Sequence, residues 1–213
     1  MLAYAQSARG GLTNVTWQQA DGQGLSGTGD GEFDAVVCKF GVIFMPGRGR
    51  GMAEMAQVLK YGGIFAVSTW DTLGKNALPG LGQRVLETFF DADPPIFLSV
   101  PLGLHDHGAI AALFEGAGIA DSMIEAVAFP YERPAARDLA IGMVTGNPEI
   151  HEINERATTP AEEIIDAVAA AMAAEFGDSP LKATAIRSSR QVLRGSVGRP
   201  AVTKLPAEGG LTQ

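Results

Sequence analysis

Apolar and polar positions fall into their clearest order between Glu32 and Trp70. From Ala35 to Phe40 the residues A-V-V-C-K-F are almost continuously apolar. A strand buried on both faces of a parallel sheet reads this way. Met52, Met55, Ala56 and Leu59 then recur at i, i+3, i+4 and i+7, one face of a helix spanning Arg48 to Lys60. Gly62-Gly63 closes that helix, and Ile64 to Trp70 is a second buried strand. A strand, a helix of about ten residues and a strand predict an α/β fold with parallel pairing and helices packed on both faces.

The pattern is looser on either side. Met1 to Arg9 reads as a helix stopped by Gly10-Gly11. Asn14 to Ala20 alternates Val15, Trp17 and Gln19 with polar neighbours and is predicted as a strand, followed by a glycine-rich loop from Gly22 to Gly31. Leu78 to Phe90 is predicted helical. Asp106 is placed to cap a helix whose apolar face holds Ile110, Leu113, Phe114 and Ala117, with Gly118 as its stop. Ser122 to Phe129 reads as a strand ended by Pro130, and Arg137 to Val144 as a short helix. Thr159-Pro160-Ala161-Glu162 has the form of a capping box opening a helix with Ile164, Ile165, Val168 and Met172 on one side. From Ala183 onward the periodicity fades while Arg, Ser and Gly increase, as expected of a poorly ordered tail.

Composition narrows the function classes. In 213 residues, 46% are hydrophobic, enough for one sizeable domain. The net charge of −8 argues against general nucleic-acid or anionic-membrane binding. Six basic residues and one acid lie from Lys182 onward, so the rest of the chain carries about −13. A single cysteine, Cys38, cannot form an internal disulfide and suits a reducing cytoplasm. No apolar run reaches the roughly 20 residues that span a bilayer.

Candidate chemistry is sparse. Phe40 and Trp70 stand where two strands end, and open α/β sheets bind ligands above such ends, although core packing explains them equally well. Cys38 reads as a small apolar residue rather than a nucleophile. His105-Asp106-His107 is metal-like in composition but lacks a further ligand cluster, so no metal site is expected. Gly47-Arg48-Gly49-Arg50-Gly51 lacks the spacing of a phosphate loop and reads as a solvated helix start.

Three blocks in order, W-Q-Q-A-D-G at Trp17–Gly22, F-D-A-V-V-C-K-F-G-V at Phe33–Val42 and V-L-K-Y-G-G at Val58–Gly63, resemble class I S-adenosylmethionine-dependent methyltransferases. The branch is that of small-molecule enzymes related to quinone-biosynthesis methylases. The resemblance implies an open, mostly parallel Rossmann-like sheet of order 3-2-1-4-5-7-6, with S-adenosyl-L-methionine as cofactor and a small-molecule methyl acceptor. It places Asp21 and Gly22 at the adenine and Cys38, Lys39 and Phe40 beside the methionine part. Tyr61 stands where the family usually has proline. Asp21 as a loop residue bonding its own backbone, and Lys39 as a solvated strand-end lysine, are the competing readings.

The resemblance covers residues 1–182 and enters the family at its third strand, with Met1-Leu2-Ala3-Tyr4-Ala5 matching a segment that follows the second. The expectation is therefore an N-terminally truncated methyltransferase domain over 1–182, followed by a basic tail over 183–213. Its exposed edge at Ala35–Phe40 could support self-association. Methyl transfer would be impaired in such a chain. The alternative is a non-catalytic methyltransferase-like interaction subunit, or half of a split enzyme.

Overall fold

A computed structural model of the protein describes residues 1–119, 123–133 and 135–193. After helix α1 (Leu2–Arg9) and a long irregular segment, strand β1 (Phe33–Lys39) leads through a 3-10 turn (Val42–Phe44) to α2 (Arg48–Val58) and β2 (Leu59–Trp70). Helices α3 (Ala77–Glu87) and α4 (His107–Gly116) precede β3 (Met123–Arg133). Helices α5 (Ala136–Thr145), α6 (Glu149–Arg156) and α7 (Ala161–Phe176) then lead to β4 (Leu181–Leu193).

The four strands form one mixed sheet in the order β1-β2-β4-β3. Val36 faces Phe65 and Cys38 faces Val67 across the parallel β1–β2 pair. Strand β4 runs antiparallel to both neighbours, matching Trp70 with Arg187 on one side and Phe129 with Ala185 on the other. This is the 4-5-7-6 half of the expected strand order.

Register fixes the two faces, because paired residues share a face and neighbours along a strand alternate. Phe65 and Val67 point to the side covered by α2 and α4, where Met52, Met55, Ile110 and Phe114 pack on them. Leu181 and Ala185 point to the other side, where α3, α5, α6 and α7 contribute Leu78, Ala140, Ile153, Ile164 and Met172 around Leu181. Helices therefore lie on both faces, as expected, but not over the whole second face. Val37 is 70% exposed and Ile64 44% exposed on the part of that face formed by β1 and β2.

Several sequence expectations change. Strand β1 is not buried on both faces, since most of its residues are exposed and no described strand lies along its outer edge. Residues 14–20 form no strand, and only an isolated bridge joins Asp21 to Gly24. Alternation alone cannot make a strand whose backbone groups find no neighbouring strand. The boundary after Lys182 also moves. Residues 181–193, assigned largely to a poorly ordered tail, are a strand inside the sheet. Its polar residues gave no period, but β2 and β3 satisfy its backbone from both sides. The remainder of the expected tail, 194–213, lies outside the described residues.

Smaller shifts have local causes. Strand β2 begins at Leu59, shortening α2, because Gly31 and Phe33 already pair with the chain there. Strand β3 continues through Pro130, which an edge strand tolerates because its N–H side can face outward. Pro160 is itself the cap residue of α7, without a side-chain cap bond, so the capping box does not form. Asp106 does cap α4, accepting the Ala109 N–H at 2.7 Å.

Candidate functional site

The parallel strands β1 and β2 end side by side at Phe40 and Trp70. Phe40 has φ of 58°, a left-handed backbone that a non-glycine residue adopts at some energetic cost, and such residues cluster at ligand sites. Its N–H donates to the Ser68 carbonyl at 3.0 Å, tying the turn to β2. The Phe40 and Trp70 rings stack at 4.3 Å, nearly parallel at 8°. Trp70 also meets Phe129 of β3 at 6.2 Å. Two cations border this aromatic row: Lys39 Nζ lies 5.9 Å from the Phe40 ring, and the Arg187 guanidinium 5.9 Å from Phe129. Arg187 also donates to Ser68 Oγ at 3.3 Å. Lys39 has no ion-pair partner among the described residues.

The loop carrying Asp21 and Gly22 docks just beyond the same strand end. Gln23 Oε1 accepts the Gly47 N–H at 2.6 Å, and Glu54 Oε2 accepts the Leu25 N–H at 2.8 Å. A Cβ on Gly22 would lie 2.6 Å from the Met45 methyl, so a glycine permits this approach. Asp21 Oδ1 accepts the Gln23 N–H at 2.9 Å, the local loop bond anticipated as its competing role. Asp21 Oδ2 and the Gly22 N–H have no protein partner among the described residues.

Cys38 is half-buried and packs against Gly41, where a Cβ would lie 2.9 Å from its sulfur. It behaves as a packing residue, consistent with the sequence reading. The structure thus places Cys38, Phe40 and Trp70 at the ends of β1 and β2 with Lys39 exposed beside them, and sets Gly22 against Met45 just past the 3-10 turn, with Asp21 exposed next to it.

Sequence reasoning missed Asp71, although an acid immediately after a buried strand is a visible signal. Its side chain is buried, which disfavours ionisation. The Thr72 N–H, the Lys75 ammonium and the charge of His107 outweigh that burial and hold its pKa below the usual carboxylate value. Oδ1 accepts from Thr72 at 2.7 Å and Oδ2 from Lys75 at 3.0 Å. Asp71 therefore orders the chain leaving β2. No group of three metal-ligating side chains occurs among the described residues, and His105 Nδ1 is engaged by the Leu102 carbonyl at 2.8 Å.

Strand order, helices on both faces of the sheet and a polar-aromatic edge above the parallel strand ends define a Rossmann-like α/β fold. Comparisons with known proteins agree. Residues 1–67 match the "Methyltransferase domain" family. The ubiquinone/menaquinone biosynthesis C-methyltransferase of Teredinibacter turnerae is 30% identical over 125 residues, covering 53% of this chain and 49% of the relative. The chain thus spans about half the length of that curated relative. Two solved structures share the fold. A proposed methyltransferase from Bacillus halodurans C-125 has a TM-score of 0.54 at 15% identity, over 92% of this chain and 79% of that one. A proposed type II methyltransferase from Anaeromyxobacter dehalogenans has 0.51 at 16%, over 86% and 73%. The chain thus resembles class I methyltransferases over its first part, and S-adenosylmethionine is the cofactor that this resemblance implies.

The residues present fit part of that cofactor. A free carboxylate oxygen beside an unused backbone N–H matches an adenine edge, which offers an amino donor and a ring-nitrogen acceptor. No helix among the described residues is long and apolar enough to cross a membrane.

Proposed function

We propose that the chain binds S-adenosylmethionine at the end of β1 and transfers its methyl group to a small-molecule acceptor in a reducing, cytoplasmic setting. The observation that carries this reading is the joint docking of the Asp21–Gly22 loop and the stacked Phe40–Trp70 pair at one end of the parallel strands. Asp21 Oδ2 accepts from the adenine amino group and the Gly22 N–H donates to the ring. The Lys39 ammonium faces the carboxylate of the methionine part. The Phe40 and Trp70 rings exclude water and offer π-faces to positive charge. The bound cofactor supplies an electrophilic methyl group; the protein's task is alignment and dehydration, which explains the sparse acid–base chemistry of the strand ends.

Calorimetric titration with S-adenosylmethionine tests the reading. Asp21→Ala is expected to weaken binding about tenfold, the value of one charge-assisted hydrogen bond. Equal affinity in both proteins removes Asp21 from the site, and no heat with either removes the reading.

The exposed part of the sheet also supports self-association of this chain. Among the described residues strand β1 offers an unpaired edge beside exposed Val37 and Ile64, and such edges recruit other strands. Sedimentation velocity is expected to detect oligomers that Val37→Lys shifts toward monomer. A wild-type chain that stays monomeric at high micromolar concentration contradicts this.

A further inference from the structure

Two buried oxygens in the helical layer face each other's element without a donor. Gln83 of α3 is 5% exposed, and Glu149, at the start of α6, is 3% exposed. Oε1 of each is closed off from solvent and has no hydrogen-bond partner in the protein. Both residues line one void of about 10 Å³, the space of a single water molecule. The rest of its lining is Gly82 and apolar side chains, among them Leu86, Leu98 and Val168, so no other side chain can donate there.

Turning the Gln83 amide does not help. Its Nε2 donates to the Pro95 carbonyl at 2.9 Å and to Glu87 Oε1 at 3.1 Å. A flipped amide would set its oxygen against both of these acceptors and lose both bonds. Gln83 therefore presents an acceptor to the void, and Glu149 as a carboxylate would present another. A carboxylic acid carries one O–H. Protonation of Glu149 supplies the missing donor and removes a charge from a buried place.

The surroundings favour the acid. Burial pushes the Glu149 pKa above the usual carboxylate value. The Asn147 side chain and the backbone N–H groups of Leu98 and Phe97 oppose this without cancelling it, and the charge of Glu152 adds to it. Arg156 of α6 is committed to Glu152 at 2.8 Å and to Asp93 at 3.2 Å. The facing elements contribute no cation to the void. Helix α3 brings Gln83, with Glu87 behind it, α5 brings Met143 and Val144, and α7 brings Val168.

The pair grips one piece of chain. Gln83 holds the Pro95 carbonyl, Glu149 attracts the Phe97 and Leu98 N–H groups, and Leu98 closes the void. Leu98, Ser99 and Leu102 of the same segment also wall a separate cavity of about 310 Å³.

We propose that Glu149 is a proton-operated latch: as the neutral acid it donates its O–H to Gln83 Oε1, directly or through one water, and clamps segment 95–102 between α3 and α6, and as the carboxylate it lets that segment open. The latch is independent of the methyl-transfer reading. A carboxyl group whose pKa is raised by folding stabilises the fold below its unfolded value and loses that contribution as pH rises through the folded one. The segment is therefore closed in mild acid and opens above the ordinary glutamate range.

Hydrogen exchange at the amides of residues 97–102, expressed as protection so that the intrinsic pH dependence of exchange drops out, reads the latch. In the wild-type chain opening is expected to rise about tenfold per pH unit between the ordinary glutamate pKa and the raised one, then level off. Glu149→Gln copies the acid, with an amide donor in place of the O–H, and is expected to keep the segment closed throughout. Glu152→Gln, on a side chain 43% exposed, removes the like charge and is expected to move the midpoint to lower pH. The Glu149 carboxyl carbon, followed by NMR in the wild-type chain, is expected to titrate above the ordinary glutamate range, a reading that stands even if a variant fails to fold. Titration within or below that range, protection of residues 97–102 that is independent of pH in the wild type, or the same pH dependence in Glu149→Gln overturns the latch.

Discussion

Phe65→Ala is expected to lower the unfolding free energy by about 3–5 kcal/mol, the cost of a large-to-small change in a closed core. Phe65 is wholly buried at the centre of β2 and meets the Phe114 ring of α4 at 5.2 Å. It therefore joins the sheet to the helical layer on that face. Domains of this kind are stable by roughly 5–15 kcal/mol, so the substitution removes a large share of the margin. Urea denaturation followed by tryptophan fluorescence measures it through the transition midpoint. A loss below about 1 kcal/mol would mean that α4 does not pack on β2 as described.

Asn76→Ala should cost on the order of 3 kcal/mol for a different reason. The Asn76 side chain is 2% exposed and bonds three backbone groups at once. Its Nδ2 donates to the Asp71 and Thr72 carbonyls, both at 3.1 Å, and its Oδ1 accepts the Ile186 N–H at 3.0 Å. Alanine leaves these groups without their partner, and unpaired buried groups are expensive. Because Asn76 joins the exit of β2 to β4, the damage should be directional. Hydrogen exchange at the Ile186 amide should accelerate more than at residues of α7. Uniform acceleration would indicate general loosening instead.

Phe65 lies in the part of the fold that the sequence made easiest to read. Apolar continuity identified β1 and β2, helical spacing identified α2, and Asp106 announced the start of α4. Asp21, Gly22 and Phe40 came from motif resemblance, and Trp70 from its position at a strand end. Asn76 carried no such signal, since an amide ahead of a helix has many possible settings. Its role depends on a partner far along the chain, Ile186.

By itself, the sequence determined the α/β class, the neighbouring parallel strands and the family resemblance. These rest on local periodicity and on short contiguous motifs, which survive without knowledge of distant contacts. Tertiary structure decided the rest. It made a strand of the polar segment 181–193 because β2 and β3 supply its hydrogen bonds, and it left 14–20 irregular because no described strand does. It exposed Val37, which apolar continuity had assigned to a core, because no described helix covers that part of the sheet. Burial and backbone pairing belong to neighbours, and residues adjacent in sequence cannot specify which distant segment will provide them.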